Sequence, residues 1–465
     1  MRSAINNLLS KQSLQWFIMV SGLFLTATAF QKQLFLNKFG WLFLALLFAI
    51  NTDYAVYAAF FYAAFFHGTG FFPNLFFTVK HFHIVVSLLV FILFLRSELW
   101  PKVKANYKSA YNLLIPWILI ILISTIAAFL NDGDQMFRAF RTNTNILTLL
   151  VSSFLFICTM DRKQLIVNAL LFFSFGVAVR IFFASFSSAT GAEFFYHEYI
   201  FFNNHIGFLS ASAIFILFAL TLTSKPKLKA SHYVISGLLL LMIFTGLLLS
   251  CSRTGWFAFL VGSAVFTYFF SRMRKSQYTR EAMVSRLVLL GVTSLLALIV
   301  VMGISWNQDL FSRITSLKRF LDMDYLQFTL HETKNFGPFG IFRLNQFYSL
   351  QEILMNNWLV GVGFIKKVTD FHSLYLTLLG GSGVLGLGLF LIFALRWSSL
   401  LLDNLSKLDD GTNLIRLGVF STFIVWLIYS LMETFVVQFN IWIVLAVGTI
   451  LCDKRRVIEK LRNVQ

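Results

Sequence analysis

Three residues of this 465-residue chain combine a chemically useful side chain with a place at the end of an apolar segment. His372 lies in the polar stretch VTDFHS, directly before a long apolar run, and can take a proton from a hydroxyl group near neutral pH. Arg253 lies in a short turn between two apolar runs, and Arg343 opens the stretch IFRLNQFYSLQEILMNN. The arginine guanidinium binds phosphate oxygens in a bidentate way that lysine cannot copy. Together the three residues predict a general base beside a phosphate-binding site.

Each of the three also has a simpler interpretation. Arg253 could extend from the membrane edge towards water, Arg343 could be a solvated residue on a helix face, and His372 could be an ordinary interfacial residue. Arg253 is the strongest signal, because an arginine that deep is expensive unless it faces a protein cavity or an anion. Four further residues on the same predicted side are supporting candidates: His205, Arg138, Arg141 and Glu433.

The composition determines what kind of elements must position these residues. Hydrophobic residues make up 58% of the chain and charged residues only 12%, about half the share typical of soluble domains. Apolar runs of about 18 residues or more, enough to cross a bilayer, recur along the whole sequence. We predict an all-α polytopic membrane protein with about 14 transmembrane helices, in a range of about 12 to 14. The predicted spans are 14–30, 34–50, 54–70, 80–96, 112–130, 143–159, 164–183, 206–222, 234–250, 255–271, 286–304, 374–396, 416–432 and 435–452.

The distribution of charge predicts how the spans are oriented. The net charge of +18 comes from clusters in short loops, which indicates a cytoplasmic side and argues against nucleic-acid binding. The clusters are 96–108, 225–229, 272–286 and 454–462, and both termini fall on that side. The opposite, outer side then receives all seven candidate residues, in or beside the segments 131–143, 193–205, 251–255 and 305–372 and at Glu433.

Three regions follow from this layout. Residues 1–304 form a transmembrane bundle, and residues 305–373 form the one large outer loop. Residues 374–465 add the last spans and a basic cytoplasmic tail. Within the loop, apolar residues near helical spacing predict an amphipathic helix along the outer interface, ended by Gly361 and Gly363. The glycine-rich stretch 380–388 falls within a span, where small residues permit close helix packing.

These features together favour a lipid-diphosphate substrate. Its tail would lie between helices, its diphosphate would meet arginine, and its sugar would project into the outer loop. The sequence contains no metal-ligand spacing and no nucleotide-binding loop in a suitable place, so we predict neither a metal nor a cofactor.

At these residues the chain resembles the bacterial O-antigen ligase and O-antigen polymerase superfamily. The family pattern of an arginine opening an amphipathic helix, an aromatic residue, NPLLGVG and HNxYLxxLxxxGxxG reads here as Arg343, Phe347, NNWLVGVG (356–363) and HSLYLTLLGGSGVLG (372–386). A second family stretch appears as SRTGWFAFLVG (252–262). Two departures stand out, because Ser373 replaces the usual asparagine and Gly381 replaces a frequent acidic residue.

The resemblance implies a metal-independent, inverting GT-C-like glycosyltransferase at the periplasmic face of the bacterial inner membrane. By that resemblance His372 would deprotonate the acceptor hydroxyl, and Arg253 and Arg343 would hold undecaprenyl diphosphate. The partners implied are an undecaprenyl-diphosphate-linked glycan, an acceptor that is a lipid-linked repeat unit or lipid A core, the bilayer and, for a polymerase, a chain-length regulator.

Four functions remain open within and beside this family. The predicted span number favours a polymerase over a lipid A-core ligase, since the ligases have fewer spans, and a branch that glycosylates proteins is not excluded. The alternative from another class is a flippase for lipid-linked sugars. A flippase should line its transit cavity with cations in the middle of its spans, whereas Arg180 is the one clear candidate of that kind.

Overall fold

The computed structural model describes residues 12–27, 34–65, 81–95, 97, 99–131, 136–190, 203–223, 230–250, 252–272, 292, 338–369, 371–403, 410–431 and 439–452. These ranges form helices and contain no strand, which confirms the all-α prediction for them. The first ten helices are α1 (Gln12–Ala27), α2 (Leu34–Ile50), α3 (Asp53–Phe65), α4 (His81–Leu95), α5 (Leu99–Asn131), α6 (Met136–Thr159), α7 (Lys163–Thr190), α8 (Asn203–Thr223), α9 (Ala230–Leu249) and α10 (Arg253–Arg272). The remaining five are α11 (Pro338–Asn357), α12 (Lys366–Thr369), α13 (Leu374–Leu402), α14 (Asp410–Tyr429) and α15 (Phe439–Cys452).

Seven of these helices are long and apolar enough to cross a membrane: α5, α6, α7, α8, α10, α13 and α14. Five shorter apolar helices, α1, α2, α4, α9 and α15, accompany them. Most of the predicted span 286–304 lies outside the described residues, and the predicted number of 14 spans is not confirmed. The helices therefore agree with a membrane protein without fixing how many times the chain crosses.

Helix α8 forms the centre of the bundle. In its apolar segment 94% of the residues are buried, and α7, α9, α10 and α14 pack around it. By contrast, only 33% of the residues in the apolar segment of α5 are buried, and Leu122, Ile126 and Phe129 point outwards. An apolar outer surface of this kind is what a helix facing lipid requires.

Helix α13 is bent sharply at Gly383, which corrects the prediction of a continuous span through 380–388. Gly383 has φ 64° and ψ −165°, a conformation outside the helical region. In a straight helix Tyr375 and Phe390 would lie about 22 Å apart along the axis. Their ring centroids are only 5.9 Å apart, so the segment before Gly383 folds back against the segment after it.

The loop that follows α11 fills this break. The N–H groups of Val384 and Leu385 donate to the carbonyls of Trp358 and Leu359, at 3.0 and 3.2 Å. On the other side of the break, the carbonyls of Gly380 and Gly381 accept from the N–H groups of Val362 and Gly363, at 2.9 and 3.0 Å. In an unbroken helix those two donors and those two carbonyls would pair with each other. The loop thus satisfies the backbone groups that the break exposes, as irregular backbone within a membrane protein must.

The same loop also docks on the end of α5. The Phe364 N–H donates to the Ser124 hydroxyl at 2.9 Å, and Asn131 donates to the Gly361 carbonyl at 3.3 Å. Gly363 has φ +87°, and a Cβ there would collide with Ala128 of α5. The loop therefore joins α5, α11 and α13 at one end of the bundle.

Candidate functional site

A serine cap creates the start of α10, where Arg253 is the first residue. The Ser252 hydroxyl accepts the N–H of Gly255 at 3.1 Å, which satisfies one of the free donors of the first helical turn. Ser250 reinforces the same turn, because its hydroxyl accepts the Ser252 N–H at 3.2 Å. The two serines are both buried, so the turn that carries Arg253 is part of the packed interior.

Two consecutive residues at the end of α14 connect this turn to the histidine segment. The hydroxyl of the buried Tyr429 lies 2.6 Å from the Ser252 hydroxyl. The next residue, Ser430, offers its carbonyl to the Leu374 N–H at 2.9 Å and to the Ser373 hydroxyl at 3.3 Å. One turn of α14 therefore fixes the start of α10 relative to the start of α13.

Helix α11 reaches the histidine segment from the other side. The predicted interfacial helix is present, although it begins at Pro338, five residues before Arg343, and ends at Asn357, before the two glycines expected to end it. Gln346, one turn after Arg343, is buried and accepts the backbone N–H of His372 at 3.1 Å through its side-chain oxygen. His372 itself keeps an exposed side chain between two buried neighbours.

The exposed surface of α11 carries both apolar and polar side chains. Phe347, Tyr348 and Met355 are 59%, 64% and 72% exposed, as expected of a helix that lies against lipid. Among the polar side chains, Glu352 accepts a hydrogen bond from the Lys367 ammonium of α12 at 2.6 Å. This hydrogen bond and the positive charge of Lys367 lower the pKa of the Glu352 carboxyl.

The supporting candidates divide between this end of the bundle and the undescribed part of the chain. His205, half-buried, lies in the first turn of α8, two residues before Gly207, whose Cα faces the Ser250 and Ser252 side chains. Arg138 and the exposed Arg141 lie in the first two turns of α6, beside the end of α5. Glu433 lies outside the described residues.

Arg180, a cation within a predicted span, is a stronger candidate for anion binding in the structure than in the sequence. It is only 5% exposed, and its Nη1 atom is buried with no hydrogen-bond partner among the described residues. The next residue, Ile181, packs against Gly246 of α9, one turn before Ser250. The guanidinium therefore belongs to the buried interior of the bundle, on the residue next to one that packs against α9. The sequence marks Arg180 as a cation within a span, but its isolation is visible only in the packed helices.

The two departures from the family pattern have different structural settings. Ser373 is buried and bonds to Ser430, so it contributes to the link between α13 and α14. Gly381 faces the ring of Phe364, and a Cβ at that position would collide with the ring. An acidic side chain at position 381 therefore has no space in this packing.

The structure thus brings the segments of Arg253, Arg343, His372 and His205 to one end of the bundle, which we call the histidine end. No protein-family model matches the chain, and no characterised protein matches it significantly. The resemblance to the O-antigen ligase and polymerase superfamily consequently stays a prediction that depends on the motifs alone.

Proposed function

We propose that this chain is a membrane glycosyltransferase that transfers a glycan from undecaprenyl diphosphate to a sugar hydroxyl. The observation that carries the proposal is the pair of buried links around His372. Gln346 joins it to the helix of Arg343, and Ser430 with Tyr429 joins it to the turn of Arg253. Three segments that are far apart in the sequence thus meet at one end of the bundle, which supports a shared site.

The proposed reaction divides its tasks between the histidine and the arginines. The His372 imidazole accepts the proton of the acceptor hydroxyl while the hydroxyl oxygen forms a bond to the anomeric carbon of the donor sugar. The bond from that carbon to the diphosphate oxygen breaks, and undecaprenyl diphosphate leaves with the electron pair. The arginines stabilise this negative charge as it develops, which is often the largest catalytic term. The exposed side chain of His372 suits a base that must meet an incoming acceptor.

Arg180 supports an anionic substrate independently of the motifs. An unpaired guanidinium inside a membrane bundle is costly, because it loses its hydration without gaining a partner. A diphosphate bound near the Arg253 turn would supply the missing negative charge. We therefore include Arg180 with Arg253 and Arg343 in the proposed donor site.

The flippase alternative receives less support from the same burial pattern. Among the residues whose burial the structure describes, the buried charged ones are Arg180 and Arg416. Arg416 donates to the carbonyls of Leu400 and Asp403, at 2.6 and 3.0 Å, and so caps the end of α13. Arg180 is thus the one buried cation without a partner among the residues whose burial is described, whereas a transit cavity for a diphosphate would need several.

Reconstitution of the purified chain in liposomes tests the proposal. The donor is the native undecaprenyl-diphosphate repeat unit, supplied with or without lipid A core. A ladder of longer lipid-linked glycans without core identifies a polymerase, and product that requires core identifies a ligase. Movement of the donor across the bilayer with no product in either reaction would contradict the proposal and identify a flippase.

Variants then test the assignment of residues. We expect His372→Ala and Arg253→Ala each to abolish transfer while expression and insertion remain normal. Arg272→Ala is the matched control, because Arg272 closes the same helix at its opposite end and lies 4.4 Å from the Tyr268 ring centroid. Wild-type transfer by His372→Ala or Arg253→Ala would remove that residue from the mechanism.

A further inference from the structure

A single buried amide controls the backbone at His372. Gln346 is 6% exposed, and it lies on the face of α11 that also buries Leu350 and Ile353. Its Oε1 atom accepts the His372 N–H at 3.1 Å, across 26 residues of sequence. A donor at this partly buried place would be costly without an acceptor, so the amide stabilises one conformation of the histidine backbone.

Other contacts hold the residues before and after the histidine. Ser373 and Leu374 bond to Ser430, which fixes the chain after His372. Phe371, before the histidine, is buried by packing. The bond from Gln346 ties His372 itself to α11, and Arg343 lies one turn earlier on that helix. A displacement of α11 would therefore change the separation between the two proposed functional residues.

We propose that Gln346 is a positioning residue for His372, acting through the backbone N–H rather than through the imidazole. The inference rests on the proposed transferase function, in which His372 is the general base. The Gln346 amide keeps the exposed imidazole at a fixed position relative to the helix that carries Arg343. It takes no part in proton transfer or in diphosphate binding.

Three variants of α11 separate this role from general destabilisation. Gln346→Met keeps the length of the side chain and removes the acceptor, and we expect kcat to fall by about tenfold to a hundredfold, the scale of a misplaced catalytic group. Gln351→Met is the matched control, because it makes the same substitution at an exposed position of the same helix, and it should keep the wild-type kcat.

Gln346→Glu retains the acceptor and should restore most of the lost rate. It also brings a carboxylate beside His372, which stabilises the imidazolium, so the acidic limb of the pH–rate profile should move to higher pH. If the side chain at position 346 did not lie beside His372, that limb would not move.

A second measurement does not depend on transfer activity. In a His372→Cys background, maleimide labels the introduced thiol. Its labelling rate should change when Gln346→Met is added and stay the same when Gln351→Met is added. If the wild-type chain transfers no glycan but the labelling difference is present, the proposed function fails and the positioning role stands. Equal kcat, equal pH profiles and equal labelling rates for the two methionine variants would overturn the positioning role.

Discussion

The hydrogen bond between Ser252 and Tyr429 links the start of α10 to the end of α14, and its removal tests how the histidine end is held together. Tyr429→Phe deletes one oxygen and leaves the ring in contact with Phe208, whose centroid lies 5.3 Å away. Ser252→Ala deletes the other partner together with the cap on Gly255. Both changes therefore remove this hydrogen bond, and Ser252→Ala also removes the cap.

The structure allows the three free-energy changes to be estimated. A buried hydrogen bond contributes about 0.5–1.5 kcal/mol, and measured bonds between membrane helices average about 0.6 kcal/mol. Tyr429→Phe should therefore lower the free energy of unfolding by about 1 kcal/mol. Ser252→Ala should lower it by about 2 kcal/mol, since a serine cap adds about 1 kcal/mol. The double variant loses the shared bond once, so it should also cost about 2 kcal/mol, with a coupling energy of about 1 kcal/mol.

Equilibrium unfolding in mixed micelles, with increasing denaturing detergent, measures the free energy of unfolding. The proteins compared are the purified wild-type chain, Tyr429→Phe, Ser252→Ala and the double variant. Ser271→Ala is the control for a serine lost from α10, because its exposed hydroxyl bonds only to the Tyr268 carbonyl within its own helix. It should change the free energy of unfolding by less than about 0.5 kcal/mol. Strictly additive effects of Ser252→Ala and Tyr429→Phe would refute the claim that this contact holds α10 to α14.

Two further predictions concern the break in α13 and the ion pair between Glu352 and Lys367. Gly383→Ala should cost at least about 1–2 kcal/mol, because position 383 has a left-handed φ and a Cβ there would collide with the Leu359 carbonyl. Gly388→Ala, with no atom within 4 Å of its added Cβ, should instead stabilise by about 0.5–1 kcal/mol in the same unfolding assay, and equal losses would contradict the break. The lowered pKa of Glu352 means that its bond to Lys367 stabilises the fold above the ordinary carboxyl pKa and is lost as pH falls through the lowered value. Unfolding midpoints between about pH 6 and pH 3 should show this loss, and Glu352→Gln should remove that part of the pH dependence.

Local patterns in the sequence predict much of the helical architecture. Long apolar runs indicate helices such as α8 and α14, and the apolar spacing after residue 341 indicates α11, because both signals arise within a few turns of chain. The cap at Ser252 is local too, since a serine three residues before an N–H donor is enough to start a helix. Arg253 could therefore be placed at a helix end from the sequence alone.

The break in α13 could not be predicted in this way. The glycine-rich stretch 380–388 is compatible with a closely packed continuous helix and with a broken one. The choice depends on Trp358 and Leu359, whose carbonyls accept the N–H groups that the break releases. Those partners belong to a different element, and the sequence does not show that the two elements meet.

At the histidine end, too, some features can be predicted from the sequence and others depend on tertiary structure. The sequence determined that the chain is a helical, apolar protein and marked His372, Arg253 and Arg343 through the chemistry of their side chains. Tertiary structure alone decided that Gln346 and Tyr429 connect these segments, and that Arg180 is buried without a partner in the described residues. Helices form through hydrogen bonds between residues four apart, whereas these links join residues that are near only after the helices have packed.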